Sequence, residues 1–312
     1  MRRVLHYLLL GLGGIVAVLG LYTWLHFSPA GATYPADAVA HIELPHRLRT
    51  MAEHDTARQR NGGNPYLLEI DTEANGALFY YGASHTQDPN DPQVADITAQ
   101  WDAFNPTVAL YEGRQRNFVY GALIEPFAGL PEPALVHKLA RRDDVPLYTL
   151  EPSYTDEVAA LLSDYPAERI ALYFFLRVYR SESGGVANDA LALDLLTKRT
   201  DVDGLRNALP DLAAADRLWQ ADFPDEEDWR VHRREVGYLA DISNASRRVR
   251  GEHMARILTD LVRKGERVFA VVGSGHVIRQ EWNLRTLFDQ PHAWDQPSPD
   301  STHLAGDATD TP

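Results

Sequence analysis

The sequence predicts an α/β fold: a largely parallel sheet core with a helical insertion, preceded by one N-terminal transmembrane helix. Three observations lead to this prediction. Four short apolar runs lack polar alternation, which is typical of strands buried on both faces of a parallel sheet. Segments with apolar residues at helical spacing separate the first three runs, which favours strand–helix–strand crossovers. Near its N-terminus the chain also has an uncharged stretch that is long enough to cross a bilayer.

That first stretch runs from residue 4 to residue 27 and follows Arg2 and Arg3. As a helix rising roughly 1.5 Å per residue it would reach about 36 Å, more than the roughly 30 Å of a hydrocarbon core. Basic residues before a span favour an N-terminus inside the cell. We therefore expect residues 1–27 to be a membrane anchor or signal segment, with an uncleaved anchor favoured and the C-terminal domain on the extracytoplasmic side.

The rest of the chain divides by composition. Residues 28–64 mix proline, glycine and charge and are predicted to be a linker with a short helix near residues 46–60. Residues 65–288 form the predicted α/β domain. Residues 289–312 contain no lysine or arginine and are predicted to be a disordered tail.

Within the domain, the apolar runs predict four strands, over Ala77–Tyr81, Thr107–Tyr111, Val145–Leu150 and Arg267–Val272. The helical spacing of apolar residues predicts helices over Gln93–Phe104, Ala134–Arg142, Glu168–Tyr179, Asn188–Arg199 and Arg248–Arg263. Because the last run follows a long helical region, we expect it to return and join the first three strands.

A polar residue follows each predicted strand, namely His85, Glu112, Glu151 and His276. Ligands of open α/β sheets bind beyond the carboxyl ends of the strands, so these side chains are expected to converge on one rim. Two imidazoles and two carboxylates can hold a divalent metal, or they can act as general acid and base without one. A Gly-x-x-His pattern occurs at both histidines, and the glycines are expected to allow positive φ angles in tight turns.

Composition excludes several classes of function. The formal net charge is −14, so a surface that binds nucleic acid is not expected. The chain has no cysteine, which excludes disulfides, thiolate metal sites and a cysteine nucleophile. It also lacks a P-loop, a His-Glu-x-x-His helix and a Gly-x-Ser-x-Gly elbow.

Four motifs together resemble the TraB/PrgY/GumN group, within the superfamily of Tiki metalloproteases, erythromycin esterases and ChaN-like proteins. They are Gly82–His85, Tyr111–Arg114, Arg250–Ala255 and Val271–Val277. The resemblance implies an EreA/ChaN-like α/β fold with the cleft at the strand ends.

The resemblance also implies the kind of site, which is hydrolytic in two branches of the superfamily and binds haem in a third. Tiki proteins are membrane-tethered peptidases that use a divalent metal, and the matching ligands here are His85, Glu112 and His276. Manganese, cobalt and zinc all suit such donors. Erythromycin esterases hydrolyse an ester without an obligatory metal, and ChaN-like members bind haem.

The leading hypothesis is an exported, membrane-anchored, metal-dependent hydrolase of peptide, amide or ester bonds. Glu112 or Glu151 would act as general base, and Arg114 or Arg250 would stabilise the oxyanion. The alternatives are a non-catalytic haem- or peptide-binding protein on the same scaffold and a metal-free esterase. The sequence leaves the oligomeric state open.

Overall fold

The structure is a computed structural model that describes residues 32–60, 65–72, 76–86, 88, 90–113, 132–232 and 234–291. These residues contain six strands: β1 Ala32–Thr33, β2 Tyr66–Asp71, β3 Ala77–Ala83, β4 Val108–Tyr111, β5 Leu147–Thr149 and β6 Arg267–Gly273. They also contain ten helices: α1 Ala36–Val39, α2 Met51–Arg60, α3 Pro92–Phe104, α4 Glu132–Arg142, α5 Tyr154–Leu161, α6 Ala167–Glu182, α7 Asp189–Thr200, α8 Leu212–Asp222, α9 Tyr238–Arg263 and α10 Ser274–Leu287.

The strands form one sheet in the order β1-β5-β4-β6-β3-β2. Every neighbouring pair is parallel except β2 and β3, which are antiparallel. The predicted α/β class with a largely parallel sheet is therefore confirmed. The last strand does return, because β6 lies between β3 and β4 and pairs with both.

The central strands are buried on both faces, which explains why their sequences do not alternate. On β3, Leu78 and Tyr80 pack into one apolar cluster beneath α9 and α10. Phe79 and Tyr81 point the other way, into a cluster with α3 and α4. All seven residues of β3 are buried. The sheet is thus covered by helices on both sides, as parallel sheets require.

Two edge strands were not predicted from the sequence. In β2 the buried residues alternate with exposed ones, because this antiparallel strand at the end of the sheet has one face in solvent. Strand β1 has only two residues, too few for any periodic signal.

A second apolar core lies within the helices between β5 and β6. Helices α5 to α8 pack there against the first part of α9, through Leu239, Ile242 and Ala245. The second part of α9, including Met254 and Leu258, packs on the sheet instead. Helix α9 therefore begins at Tyr238 rather than at the predicted Arg248, because its early turns continue an apolar face that serves a different core.

Residues 32–60 differ from the linker that their composition predicts. Tyr34, Val39 and Ile42 belong to the apolar cluster that covers the sheet. Arg49 is buried and forms an ion pair of 2.9 Å with Glu281 on α10. This segment is therefore packed against the fold through its buried residues and is not a free linker.

The predicted anchor, residues 1–27, lies outside the described residues, as does the tail beyond residue 291. Among the residues that are described, no helix combines the length and apolar character needed to span a membrane.

Candidate active site

The sheet topology brings the four polar strand-end residues to one edge. Because β5, β4, β6 and β3 are parallel neighbours, their carboxyl ends lie side by side. His85 comes two residues after β3 and Glu112 directly after β4. Glu151 comes two residues after β5, and His276 lies in the first turn of α10. The predicted rim is thus present.

Glu112 lies at the centre of this group. One carboxylate oxygen, Oε1, is 3.2 Å from Nε2 of His276. The other, Oε2, accepts a 2.6 Å hydrogen bond from the backbone N–H of Gly273 and is 4.0 Å from Nε2 of His85. The carboxylate therefore lies between the two imidazoles of the repeated Gly-x-x-His pattern.

The surroundings of Glu112 keep it ionised. Burial alone would raise the pKa of this carboxyl group. Hydrogen bonds that Glu112 accepts from His276 and from the backbone of Gly273, together with the charge of Arg250, outweigh burial and lower the pKa to about 2. Glu112 is therefore an anion at any physiological pH.

Glu151 and Arg250 form a pair beside this centre. Nε of Arg250 donates a 2.6 Å hydrogen bond to Oε2 of Glu151, and Nη2 donates to Oε1. Nη2 is also 3.9 Å from Glu112. Burial alone would lower the pKa of Arg250, but the hydrogen bonds to Glu151 outweigh burial and raise it. The pair therefore places a permanent cation next to Glu112.

The structure thus brings together five of the six predicted site residues, although Glu151 contacts an arginine rather than a histidine. The sixth, Arg114, lies outside the described residues.

The two motif glycines serve close approach, not positive φ as expected from the sequence. Gly273 has a φ of −59°, and neither it nor Gly82 is among the residues with positive φ. A Cβ on Gly82 would lie 2.7 Å from the carbonyl oxygen of Tyr66 and 2.8 Å from Cα of Ser274. A Cβ on Gly273 would lie 2.9 Å from Nε2 of His85. Gly82 therefore allows β3 to lie close to the backbones of Tyr66 and Ser274, and Gly273 leaves room for the side chain of His85.

Two further residues at the site were missed by sequence reasoning. Glu132, at the start of α4, has an oxygen 3.4 Å from Nδ1 of His85. Gln93, in the first turn of α3, donates a 3.2 Å hydrogen bond to Glu132. Both are buried. Neither follows a strand, so the pattern that identified the other residues could not find them.

The donor set fits a divalent cation in its chemistry, since zinc, manganese and cobalt bind imidazole nitrogen and carboxylate oxygen. Two donors on one ion, each about 2.0–2.1 Å from it, are about 3.0–3.4 Å apart. The separation of His276 and Glu112 falls in that range, and the 4.0 Å separation of His85 and Glu112 is longer. Within the described ranges, no group of three or more histidine, aspartate or glutamate side chains is already arranged as a metal site.

The fold and the site together define an α/β protein with a histidine–glutamate cluster at the carboxyl edge of its sheet. No family model matches the sequence, and no curated protein or solved structure matches it either. The resemblance to the TraB/PrgY/GumN group therefore stays a prediction.

Proposed function

We propose that this chain is a metal-dependent hydrolase of peptide, amide or ester bonds, and a member of the TraB/PrgY/GumN group. The observation that supports the proposal most strongly is the position of Glu112 between the Nε2 atoms of His85 and His276. This places two imidazoles and one carboxylate side by side at the edge where α/β sheets bind their ligands.

In this proposal His85, Glu112 and His276 hold the cation. A bound divalent cation supplies Lewis acidity, which lowers the pKa of water and polarises a carbonyl oxygen. Arg250 contributes a fixed positive charge that stabilises the oxyanion of the attacked carbonyl. Glu151 holds Arg250 in place through two hydrogen bonds, so we assign it a positioning role instead of the role of general base.

A metal-free esterase is the second candidate, and one observation favours it. The ring of His85 is 69% exposed and has the buried carboxylate of Glu132 next to its Nδ1 atom. A histidine supported by a carboxylate in this way can take a proton from water with its Nε2 atom. This candidate needs the same residues but predicts activity that survives chelation.

We also propose that residues 4–27 anchor the chain in a membrane and that the hydrolase domain lies on the extracytoplasmic side. Support comes from the length of the uncharged stretch and from Arg2 and Arg3 before it. Protease added to intact cells should then degrade the domain, whereas a cytoplasmic domain would resist until the cells are broken.

The hydrolase proposal is tested on the full-length chain, purified without a metal-affinity tag. Metal content is measured by mass spectrometry, and hydrolysis is measured on panels of fluorogenic peptides and aryl esters. We expect near-stoichiometric metal, after reconstitution with manganese, cobalt or zinc if necessary, and hydrolysis that chelator abolishes. His85→Ala and His276→Ala should each lower the rate at least about 100-fold.

His41→Ala is the matched control, because His41 is an exposed histidine in the same chain. It should keep both metal and activity. Activity that persists after complete removal of metal would select the esterase candidate. Full activity in both site variants would contradict the assignment of the site itself.

A further inference from the structure

The ring of His85 is not held by packing. It is 69% exposed, whereas Glu112 and His276 are less than one-fifth exposed. A solvent-exposed histidine on a loop has several rotamers open to it. A site that depends on the direction of this ring therefore needs polar contacts that fix it.

The buried carboxylate of Glu132 supplies one such contact. Its side chain is 4% exposed, and Oε2 lies 3.4 Å from Nδ1 of His85. Oε1 accepts a 2.8 Å hydrogen bond from the backbone N–H of Thr86, the next residue in the chain. Glu132 thus contacts both the ring of His85 and the backbone that follows it.

Gln93 holds the backbone on the other side of His85. Its Oε1 accepts a 2.7 Å hydrogen bond from the N–H of Ser84, and its Nε2 donates to the carbonyl of Ser84 at 2.8 Å. The same Nε2 donates to Oε1 of Glu132 at 3.2 Å. Gln93 is therefore bonded both to the loop and to the carboxylate that faces the ring.

We infer that Glu132 and Gln93 are positioning residues that fix the orientation of His85 and select its Nδ1-protonated tautomer. An ionised carboxylate only accepts hydrogen bonds, so Nδ1 must carry the proton that it shares with Glu132. In the neutral ring with this tautomer, Nε2 carries the lone pair that a metal ligand or a general base requires. The consequence for catalysis rests on the proposed function, whereas the tautomer depends only on the contacts described.

The test is nitrogen-15 NMR of the imidazole of His85 in the full-length, chelator-treated protein, with the resonance assigned by its loss in His85→Asn. We expect the Nδ1–H tautomer in the parent chain. Glu132→Gln keeps the shape of the side chain but can turn an N–H towards Nδ1, and it should shift the ring towards the Nε2–H tautomer. Hydrolysis by this variant should fall about ten- to a hundred-fold, the usual effect of losing such a partner.

Gln93→Met is a second variant, in case Glu132→Gln fails to fold. It removes the bonds to Ser84 and Glu132 and should give a mixture of tautomers. Glu69→Gln, at an exposed glutamate of β2, is the matched control and should leave the spectrum of His85 unchanged.

An unchanged tautomer in both folded variants would overturn the inference, even if the protein proves to be a hydrolase. A change of tautomer in a protein that neither binds metal nor hydrolyses any substrate would support the positioning role and contradict the proposed function.

Discussion

At the level of single residues, the missing side chain of Gly273 controls the space in which His85 and Glu112 meet. A Cβ there would lie 2.9 Å from Nε2 of His85 and 3.2 Å from Oε2 of Glu112. The backbone of Gly273, at φ −59° and ψ 138°, is open to any residue, so alanine meets no conformational barrier. The effect of a substitution should therefore fall on the site and not on the fold.

We predict that Gly273→Ala pushes the exposed ring of His85 away from Glu112. Hydrolysis should fall at least about ten-fold, since misplacing a reacting group by about 1 Å is costly. The free energy of unfolding, measured in urea, should change by less than about 1 kcal/mol.

Gly275→Ala is the control for this variant, because the nearest atom to its new Cβ is Nε2 of His54 at an ordinary 3.5 Å. Equal activity in both alanine variants would mean that the spacing at Gly273 has no importance for catalysis.

At the level of elements, the segment with α1 and α2 is attached to α10 by a buried ion pair. Nη1 of Arg49 donates hydrogen bonds to Glu281 at 2.9 Å and to the carbonyl of Ile278 at 2.6 Å. Its guanidinium also lies over the ring of Trp282, 4.4 Å from the ring centroid. Removing one partner of such a pair leaves a buried charge with less compensation.

We predict that Arg49→Met lowers the free energy of unfolding by about 3 kcal/mol, measured in urea at neutral pH. Arg47→Met is the matched control two residues earlier. Arg47 pairs with Glu53 at the surface, and its loss should cost less than about 1 kcal/mol. A loss of under about 1 kcal/mol from both variants would mean that the ion pair does not hold this segment to the fold.

The cost of Arg49→Met should also depend on pH. Burial alone would raise the pKa of Glu281, but hydrogen bonds from Arg49, Arg285 and Tyr66 lower it below its usual value. A lowered folded-state pKa adds stability above the unfolded pKa of about 4.3, and that stability is lost as pH falls through the folded value. The difference between parent and variant should therefore shrink below about pH 4. A difference that grows with acidification would contradict the assignment.

Elements with a local pattern in the sequence were predictable, whereas features that depend on contacts between distant residues were not. The strands β3, β4, β5 and β6 were predictable because burial on both faces leaves a short apolar run. Residues 32–60 were not, because the buried charge of Arg49 is compensated by Glu281, a partner 232 positions away. Glu132 was missed for the same reason, since its contact with His85 spans 47 positions and leaves no spacing to recognise.

At the level of the whole molecule, α9 joins the helical core to the sheet. Its first turns lie in the cluster of helices, and its later turns pack on β3 and β6 through residues such as Leu258. Because α9 is one continuous helix of 26 residues, loss of packing along one half of the helix also destabilises the other half. The two cores should therefore unfold together.

We predict that Leu258→Ala, which removes a fully buried side chain from the sheet core, destabilises both cores equally. The loss should be about 2–5 kcal/mol. Hydrogen exchange read by mass spectrometry should show the same loss of protection for amides in α6 and in β3. Loss of protection in β3 alone would show that the helical part is an independent unit.

The position of β6 has a consequence for how the protein is made. About 150 residues separate β4 from β6, so at about 5–20 residues per second the ribosome takes roughly 8–30 s to produce the strand that fills the gap. During that time β3 and β4 have no partner between them, and their open edges can pair with other chains. The site is assembled only after β6 has emerged, because this strand lies between β3 and β4, which precede His85 and Glu112.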